Sequence, residues 1–384
     1  MTASSAPARP EPRLQRLLGF LAQDPGNLQL IADAASTALD EGDVAEAARL
    51  LERHAALAPL PPTLLNLQGL MALGGQRFDE AAGIFETLLA TAPDDPAIRF
   101  NLAWSRAMIH DYPGALALLA EAVVATAPRA AALKVQMLHH LGLLEDALAC
   151  GMGLAELYPD DQALMGALAI VAIDAEEPEL AKAYARRAGD SHEGLSTLGM
   201  LMLNEDQVDQ SLALFDRALD SYAVSARALL GKGLALMVKG EPAAAAACLD
   251  QSAAIFGTHV GTWVASGWAH FVLGDYAASR ASFEQALALD DAFAETQGGL
   301  AVLDIAQNRM ESARRRTEVA LRLDRACLAG ALAKSLLLAS EGRQEAAERV
   351  REIALNSPIT PGGRTIAQLA VDLGMAGGKG SETP

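Results

Sequence analysis

The residues of this chain that could do chemistry are its seven histidines, its three cysteines and a glycine-rich segment at residues 374–380. That segment reads GMAGGKG, which is one residue short of the phosphate-binding loop spacing and lacks the terminal Ser or Thr. No histidine belongs to an HExxH motif, and the cysteines form neither a CxxC pair nor a disulfide framework. We therefore predict no catalytic residue, no metal site and no cofactor, and we interpret the histidines as solvated or core residues.

Composition and charge point to a helical protein. Of the residues, 51% are hydrophobic and 4% aromatic, and the apolar residues are mostly Ala and Leu, which favour helices. The net charge of −18 disfavours nucleic acid and anionic membranes as partners, although it also fits simple solubility. No apolar run is long enough to span a bilayer, and the first residues lack a signal-peptide pattern. We expect a cytoplasmic protein without membrane insertion, bacterial in its composition.

The elements that would position any functional residue are helical hairpins, best seen over residues 258–291. Here Trp263 and Tyr276 mark two helices, and Gly274 stands where the first helix must stop. Glycine suits that place because it tolerates the left-handed backbone conformation. Gly267 has no Cβ and lets the second helix approach closely. One hairpin cannot bury its own apolar face, so the stretch calls for further copies of itself.

Copies recur with a period near 34 residues. A small residue returns at position 8 of eight units and at position 20 of all ten. The units begin at Leu28, Pro62, Pro96, Pro128, Gln162, His192, Ala226, Val260, Ala294 and Leu328. This pattern, carried for example by Leu102, Ala103, Ala115 and Ala122, resembles the tetratricopeptide repeat (TPR) family. The resemblance implies an all-α, right-handed superhelical solenoid of antiparallel helix pairs.

The domain organisation follows from the register. We predict a disordered N-terminus over residues 1–12, a capping helix over 13–25, repeats 1–5 over 28–191, repeats 6–10 over 192–361, a C-terminal capping helix over 362–375 and a disordered tail over 376–384. The two blocks of repeats meet near residues 188–194, where Gly189, Asp190 and Ser191 replace the usual last helical turn. A hinge and an ordinary shortened helix both fit this irregularity.

In the TPR family the first helix of each hairpin lines a concave surface. In this chain the corresponding positions are mostly apolar, and they predict the partner-binding residues Asn66, Leu70, Leu73, Phe100, Asn101, Trp104, Met108, Ile170, Met200, Leu234, Met237, Trp268, Phe271 and Val302. Two interpretations stay open: a tightly wound superhelix packs them as core, or they line an apolar groove for an extended or helical peptide. In the groove interpretation, Trp104 and Trp268 are the expected hot spots.

The first functional hypothesis is a non-catalytic scaffold or adaptor that binds a peptide or amphipathic helix of a protein partner. The alternatives are a chaperone for a secretion-system or assembly subunit, and a regulatory sensor that closes on a small ligand. TPR clamps for a chaperone's C-terminal carboxylate use Lys, Asn and Arg in the groove, whereas lysine is scarce here and those positions are apolar. Asn66 and Asn101 are able to bond a peptide backbone. The oligomeric state is left open.

Overall fold

The computed structural model describes residues 13–355, and these residues form helices and turns with no strand. The helices are α1 (Arg13–Gln23), α2 (Leu28–Asp40), α3 (Val44–Leu57), α4 (Pro62–Gly74), α5 (Phe78–Thr91), α6 (Pro96–Met108), α7 (Tyr112–Leu118), α8 (Glu121–Val124), α9 (Pro128–His140), α10 (Leu144–Leu157), α11 (Gln162–Asp174), α12 (Pro178–Arg187), α13 (His192–Asn204), α14 (Val208–Ser221), α15 (Ala226–Lys239), α16 (Pro242–Phe256), α17 (Val260–Leu273), α18 (Tyr276–Leu289), α19 (Ala294–Ala306), α20 (Met310–Leu323), α21 (Leu328–Ser340) and α22 (Gln344–Leu355). The segments predicted over residues 1–12, 362–375 and 376–384 lie outside the described residues.

Helices α2 to α22 pair into ten consecutive hairpins, and in each pair the two helices pack on each other. The first helices start at the ten residues that the repeat register predicts, from Leu28 to Leu328. The all-α fold of antiparallel helix pairs is therefore confirmed. Ahead of the first hairpin, α1 packs on α2 and buries Leu14 and Leu21.

The hairpin turn has one conformation in all ten described repeats. Position 15 has a positive φ, between 58° and 82°, in each of them. Glycine occupies this position in five repeats, and in the others it is Gln76, His110, Glu176, Asp206 and Asn308. A residue with a Cβ is strained in the left-handed region, so these five turns are held by the packing of the helices on either side.

Aromatic side chains and glycines make the close packing inside the hairpins. Phe85, Phe215 and Phe283 stand at position 24 of their repeats and are fully buried. Phe283 lies between Gly267 of its own repeat and Gly299 of the next, where an added Cβ would sit 2.8 Å and 2.6 Å from the ring. Each phenylalanine ring therefore fits because the residue that it contacts on a neighbouring helix is a glycine, which has no side chain.

The chain divides into two compact units, Met1–Pro159 (unit 1) and Asp160–Pro384 (unit 2). Unit 1 contains repeats 1–4, and the second helix of its third repeat is split into α7 and α8. Repeats 5–10 belong to unit 2.

Residues 188–194 lie inside unit 2, where α12 and α13 pack on each other. Ala188 is fully buried, and the Ser191 side chain caps α13. A Cβ on Gly194 would lie 2.8 Å from the Cβ of Ala188, so the segment is closely packed. The joint between two blocks at this place stays a prediction.

Candidate functional site

The first part of the candidate site is a stripe of apolar side chains on α6 in unit 1. Phe100, Trp104 and Met108 are four residues apart, which places them on one helix face. The opposite face carries the buried side chain of Leu102. Trp104 is 37% exposed and Met108 39% exposed, while Phe100 is half-buried with its ring centre 6.2 Å from that of Trp104. The stripe thus presents two large apolar side chains to solvent, with a third supporting them.

A second stripe lies on α4, the first helix of the preceding repeat, which packs against α6. Leu70 stands at the same repeat position as Trp104 and is 38% exposed. Leu73, one turn further on, is half-buried and packs on the core cluster that contains Phe85 and Leu102. We refer to Leu70, Leu73, Phe100, Trp104 and Met108 as the apolar face of unit 1.

Two side-chain amides lie on the same pair of helices. Asn66 is one turn before Leu70, and Asn101 follows Phe100; both are half-buried. The backbone carbonyl of Asn101 accepts a hydrogen bond of 2.8 Å from the Ser105 hydroxyl. Neither amide side chain makes a hydrogen bond within residues 13–355, so both retain donors and an acceptor for a ligand.

The predicted groove residues of unit 2 lie closer to its core. The half-buried residues are Ile170, Met200, Leu234 and Met237. Met200 packs on the core cluster of Leu195 and Phe215, and Met237 packs on the cluster of Leu236 and Leu249. These side chains expose only part of their surface, because each also fills space between neighbouring helices.

Trp268 and Phe271 form an aromatic junction in unit 2. Both are half-buried, and the Trp268 ring is edge-on to Phe271 at 5.6 Å and to Phe283 at 5.5 Å between ring centres. Trp268 also packs on the core clusters of Val302 and of Ala329, which belong to the ninth and tenth repeats. Trp268 therefore joins three successive repeats, whereas Trp104, at the same repeat position, is held by its own helix neighbour and faces solvent.

Val302 is buried, with 3% of its surface exposed, although the sequence predicts it as a groove residue. The first helices α19 and α21 pack directly on each other here, and a Cβ on Gly298 would lie 2.5 Å from the Gly330 backbone nitrogen. The small residues at this contact bring the two helices together and cover Val302. The side chain of Val302 is thus not available to a partner in this arrangement.

Sequence reasoning missed the ion pairs around two carboxylates of unit 2, Asp304 and Asp174. Asp304, 1% exposed, receives Arg280 Nη2 on one carboxylate oxygen at 2.5 Å and Arg316 Nε on the other at 3.3 Å, so α18, α19 and α20 are tied together. Arg227 donates two hydrogen bonds of 3.0 Å and 2.8 Å to Asp174, which joins the fifth and seventh repeats. The signal in the sequence for the Asp304 ion pairs was a carboxylate within the apolar run of residues 300–306.

A serine, an aspartate and a histidine also meet in unit 2. Ser266 Oγ donates to Asp250 Oδ1 at 2.6 Å, and His270 Nε2 lies 3.0 Å from Asp250 Oδ2. A serine nucleophile needs the histidine itself as its neighbour and general base. Here the aspartate lies between the two, so the arrangement links α16 to α17 without activating Ser266.

The Cys327 side chain is buried at the start of α21. Burial raises the pKa of the Cys327 thiol to about 12, and its sulfur accepts the Gly330 backbone N–H at the start of α21. Such a thiol is almost entirely protonated near neutral pH and reacts poorly.

Among residues 13–355, no group of three or more His, Cys, Asp or Glu side chains is placed to hold a metal ion. Over the same residues, no helix combines the length and apolar character that crossing a membrane requires.

Comparisons with known proteins agree with this architecture. Family models described as tetratricopeptide repeat match residues 32–96, 72–137 and 197–258. A chain of the APC/C hetero-tetramer Cut9–Hcn1 superposes with a TM-score of 0.59 at 14% identity, over 80% of this chain and 62% of that chain, so this chain spans less than two thirds of its length. The human IFIT1 dimer with PPP-AAAA superposes with a TM-score of 0.53 at 15% identity, over 90% and 93% of the two chains.

At these identities the superpositions show the fold alone. No curated protein sequence matches this chain at a significant level. Repeats of this kind generally mediate protein–protein interactions and typically form non-catalytic scaffolds. The repeat register, the ten hairpins and the family models agree, and the chain is a tetratricopeptide repeat protein.

Proposed function

We propose that this protein is a non-catalytic scaffold that binds a segment of a partner protein on the apolar face of unit 1. The observation that supports the proposal is the exposure of Leu70, Trp104 and Met108 on the first helices of two adjacent repeats. A soluble protein seldom exposes a contiguous apolar patch without a use. The expected ligand is an extended peptide or an amphipathic helix whose apolar side chains meet this face. A cytoplasmic location belongs to the same proposal.

The strength of the contact can be gauged from Trp104. A tryptophan side chain has an area of roughly 250 Å² at most, so its 37% exposure leaves about 90 Å² for a partner to cover. Covering that area at about 25 cal/mol per Å² is worth about 2 kcal/mol, which is the range of an interface hot spot. The tilted ring of Phe100 lies beside the indole ring, with 6.2 Å between ring centres, so little side-chain entropy is lost when a partner binds.

The neighbouring amides favour a partner that presents its backbone. Asn66 and Asn101 each offer a donor and an acceptor beside the apolar face. An extended peptide has unpaired backbone N–H and C=O groups at the spacing of its residues, whereas a helix has bonded its own. Hydrogen bonds from the amides would fix the direction of the peptide, and the apolar face would supply most of the affinity.

The experiment compares two double variants of the full chain. Leu70→Ala with Trp104→Ala removes the exposed part of the apolar face, and Leu57→Ala with Leu157→Ala removes two exposed leucines at the ends of α3 and α10 as a matched control. Affinity purification with mass spectrometry identifies partners of the wild type, and calorimetry measures each partner's affinity. We expect the first variant to lose at least 30-fold in affinity, from about 2 kcal/mol at Trp104 alone, and the control to bind normally.

Equal affinities of the two variants, with unchanged circular dichroism spectra, would refute a role for this face. The same materials distinguish a scaffold from the alternative of a chaperone. A partner that stays soluble without the chain indicates a scaffold, and a partner that aggregates unless the chain is present indicates a chaperone.

A further inference from the structure

Unit 2 contains a cavity of about 570 Å³ between α20 of the ninth repeat and α21 of the tenth, open to solvent on one side, where its charged side chains are exposed. This volume lies within the range of small-molecule binding sites, about 300–1,000 Å³. The cavity lies entirely within unit 2, whereas the apolar face proposed for the protein partner belongs to unit 1. The partner binding proposed for unit 1 therefore does not account for the residues that line this cavity.

The charge of the lining is opposite to that of the protein. Four cations, Arg314, Arg322, Arg325 and Lys334, line the cavity together with two carboxylates, while the chain as a whole carries −18. Arg314 is paired with one carboxylate, Glu341, at 3.2 Å. The other three cations make no ion pair within residues 13–355. An excess of unpaired positive charge in an acidic protein favours an anionic ligand at this place.

The position equivalent to Lys334 in the seventh repeat is also a lysine, Lys232, and there the lysine is paired with a carboxylate. Lys232 stands at the same repeat position as Lys334, and its Nζ lies 2.6 Å from the carboxylate of Asp216. The residue equivalent to Asp216 beside Lys334 is Glu318, and both line the cavity without forming an ion pair. The ammonium group of Lys334 is therefore available to a ligand, whereas the equivalent ammonium group of Lys232 is paired with Asp216.

The rest of the wall is apolar. Leu321, Leu337 and Leu338 line the cavity, and Leu337 is buried. Thr317 occupies the repeat position of the three buried phenylalanines of the core, and its hydroxyl is already bonded to the Ala313 carbonyl at 2.8 Å. Its shorter side chain leaves space at the wall that a phenyl ring would reduce. The lining thus combines cations with hydrocarbon side chains.

We propose that this cavity binds a small amphiphilic anion, with a carboxylate or phosphate headgroup and an apolar body. Guanidinium groups match both headgroups through paired hydrogen bonds, and Arg322 and Arg325 are free to make them. The apolar body covers the leucine wall and releases water from it. Binding at this site does not depend on the partner-binding role of unit 1. A bound anion here would favour the alternative of a small-ligand sensor.

The test is calorimetry on the full chain at low ionic strength, with four probes kept below their micelle concentrations. Octyl phosphate and octanoate carry both features, inorganic phosphate lacks the apolar body and octanol lacks the charge. We expect the two octyl anions to bind one per chain, at least tenfold more tightly than inorganic phosphate or octanol. The tighter of the two anions identifies the headgroup that the site favours.

Two variants assign the binding to this cavity. Arg322→Gln with Arg325→Gln should weaken octyl phosphate binding at least tenfold. Lys334→Gln, which changes an exposed side chain, should weaken it to a lesser degree. Arg315→Gln is the control, since Arg315 is on the same helix, is paired with Glu311 and does not line the cavity.

Three results would overturn the proposal: no binding of either octyl anion, equal binding of octanol, or an equal loss in the Arg315→Gln control. The partner-binding variant Leu70→Ala with Trp104→Ala should bind octyl phosphate as the wild type does. Failure of the cavity proposal is therefore separable from failure of the proposed function.

Discussion

The contact between α19 and α21 makes a sharp prediction at Gly298. An alanine Cβ at this position would lie 2.5 Å from the Gly330 backbone nitrogen, 2.6 Å from the Ala329 Cβ and 2.7 Å from the Ala329 carbonyl carbon. Non-bonded carbon atoms pack at about 3.5–4.0 Å, so the overlap is about 1 Å. Two of the three atoms belong to the backbone of α21, so no side-chain rotation relieves it. Gly298→Ala must push the two helices apart.

The size of the effect follows from two opposing terms. Overpacking of a closed interior costs about 1–3 kcal/mol, and the upper end applies because separating the helices also loosens the packing around Val302. Alanine is favoured over glycine inside a helix by about 1 kcal/mol. The net expected loss of stability is about 2 kcal/mol. Gly83 in α5 has no atom within 4 Å of an added Cβ, so Gly83→Ala should instead gain about 1 kcal/mol.

The measurement must be local, because a repeat array need not unfold in a single step. Hydrogen exchange followed by mass spectrometry should show amides of α19 and α21 exchanging about 30-fold faster in Gly298→Ala, and amides of α5 slower in Gly83→Ala. Urea midpoints of the two variants should move in opposite directions. If both alanines raise stability, or if exchange in α21 is unchanged, the two helices are not as close as the structure places them.

Two further predictions concern single repeat positions. Trp268→Ala should lower the free energy of unfolding by about 3 kcal/mol or more, because the Trp268 ring fills space among three repeats. Trp104→Ala should lower it by no more than about 1 kcal/mol, because that ring is partly exposed. Similar urea midpoints for the two variants would contradict the different environments of the two rings. Glu176→Gly should raise stability by about 1 kcal/mol, since Glu176 has a φ of 60° at the hairpin turn. Gly274→Ala should lower stability by a similar amount, because it places a Cβ at the equivalent turn. Thermal midpoints of the two variants that move in the same direction would refute backbone strain at this turn.

The local features of the fold were predictable from the sequence because they depend on residues close together in the chain. The starts of the first helices followed from the repeat register, from Leu28 to Leu328. Gly274 predicted the turn between the two helices of its hairpin, and its φ is 78°. The structure shows the same left-handed turn where a residue such as Glu176 replaces glycine, although a side chain with a Cβ disfavours that conformation. The repeated packing of the helices overrides the local preference at that position.

The sequence by itself determined the helical hairpins and the repeat position of each side chain. Each hairpin of about 34 residues is specified by contacts between residues that are close together in the chain. It assigned Trp104 and Trp268 to equivalent places, and only the tertiary structure decided that Trp104 faces solvent while Trp268 joins three repeats. The same is true of Lys232, which is paired, and Lys334, which lines a cavity. Exposure and cavities depend on the distance between helices of different repeats. That distance is set by the combined side-chain volumes at each contact, which no single repeat contains.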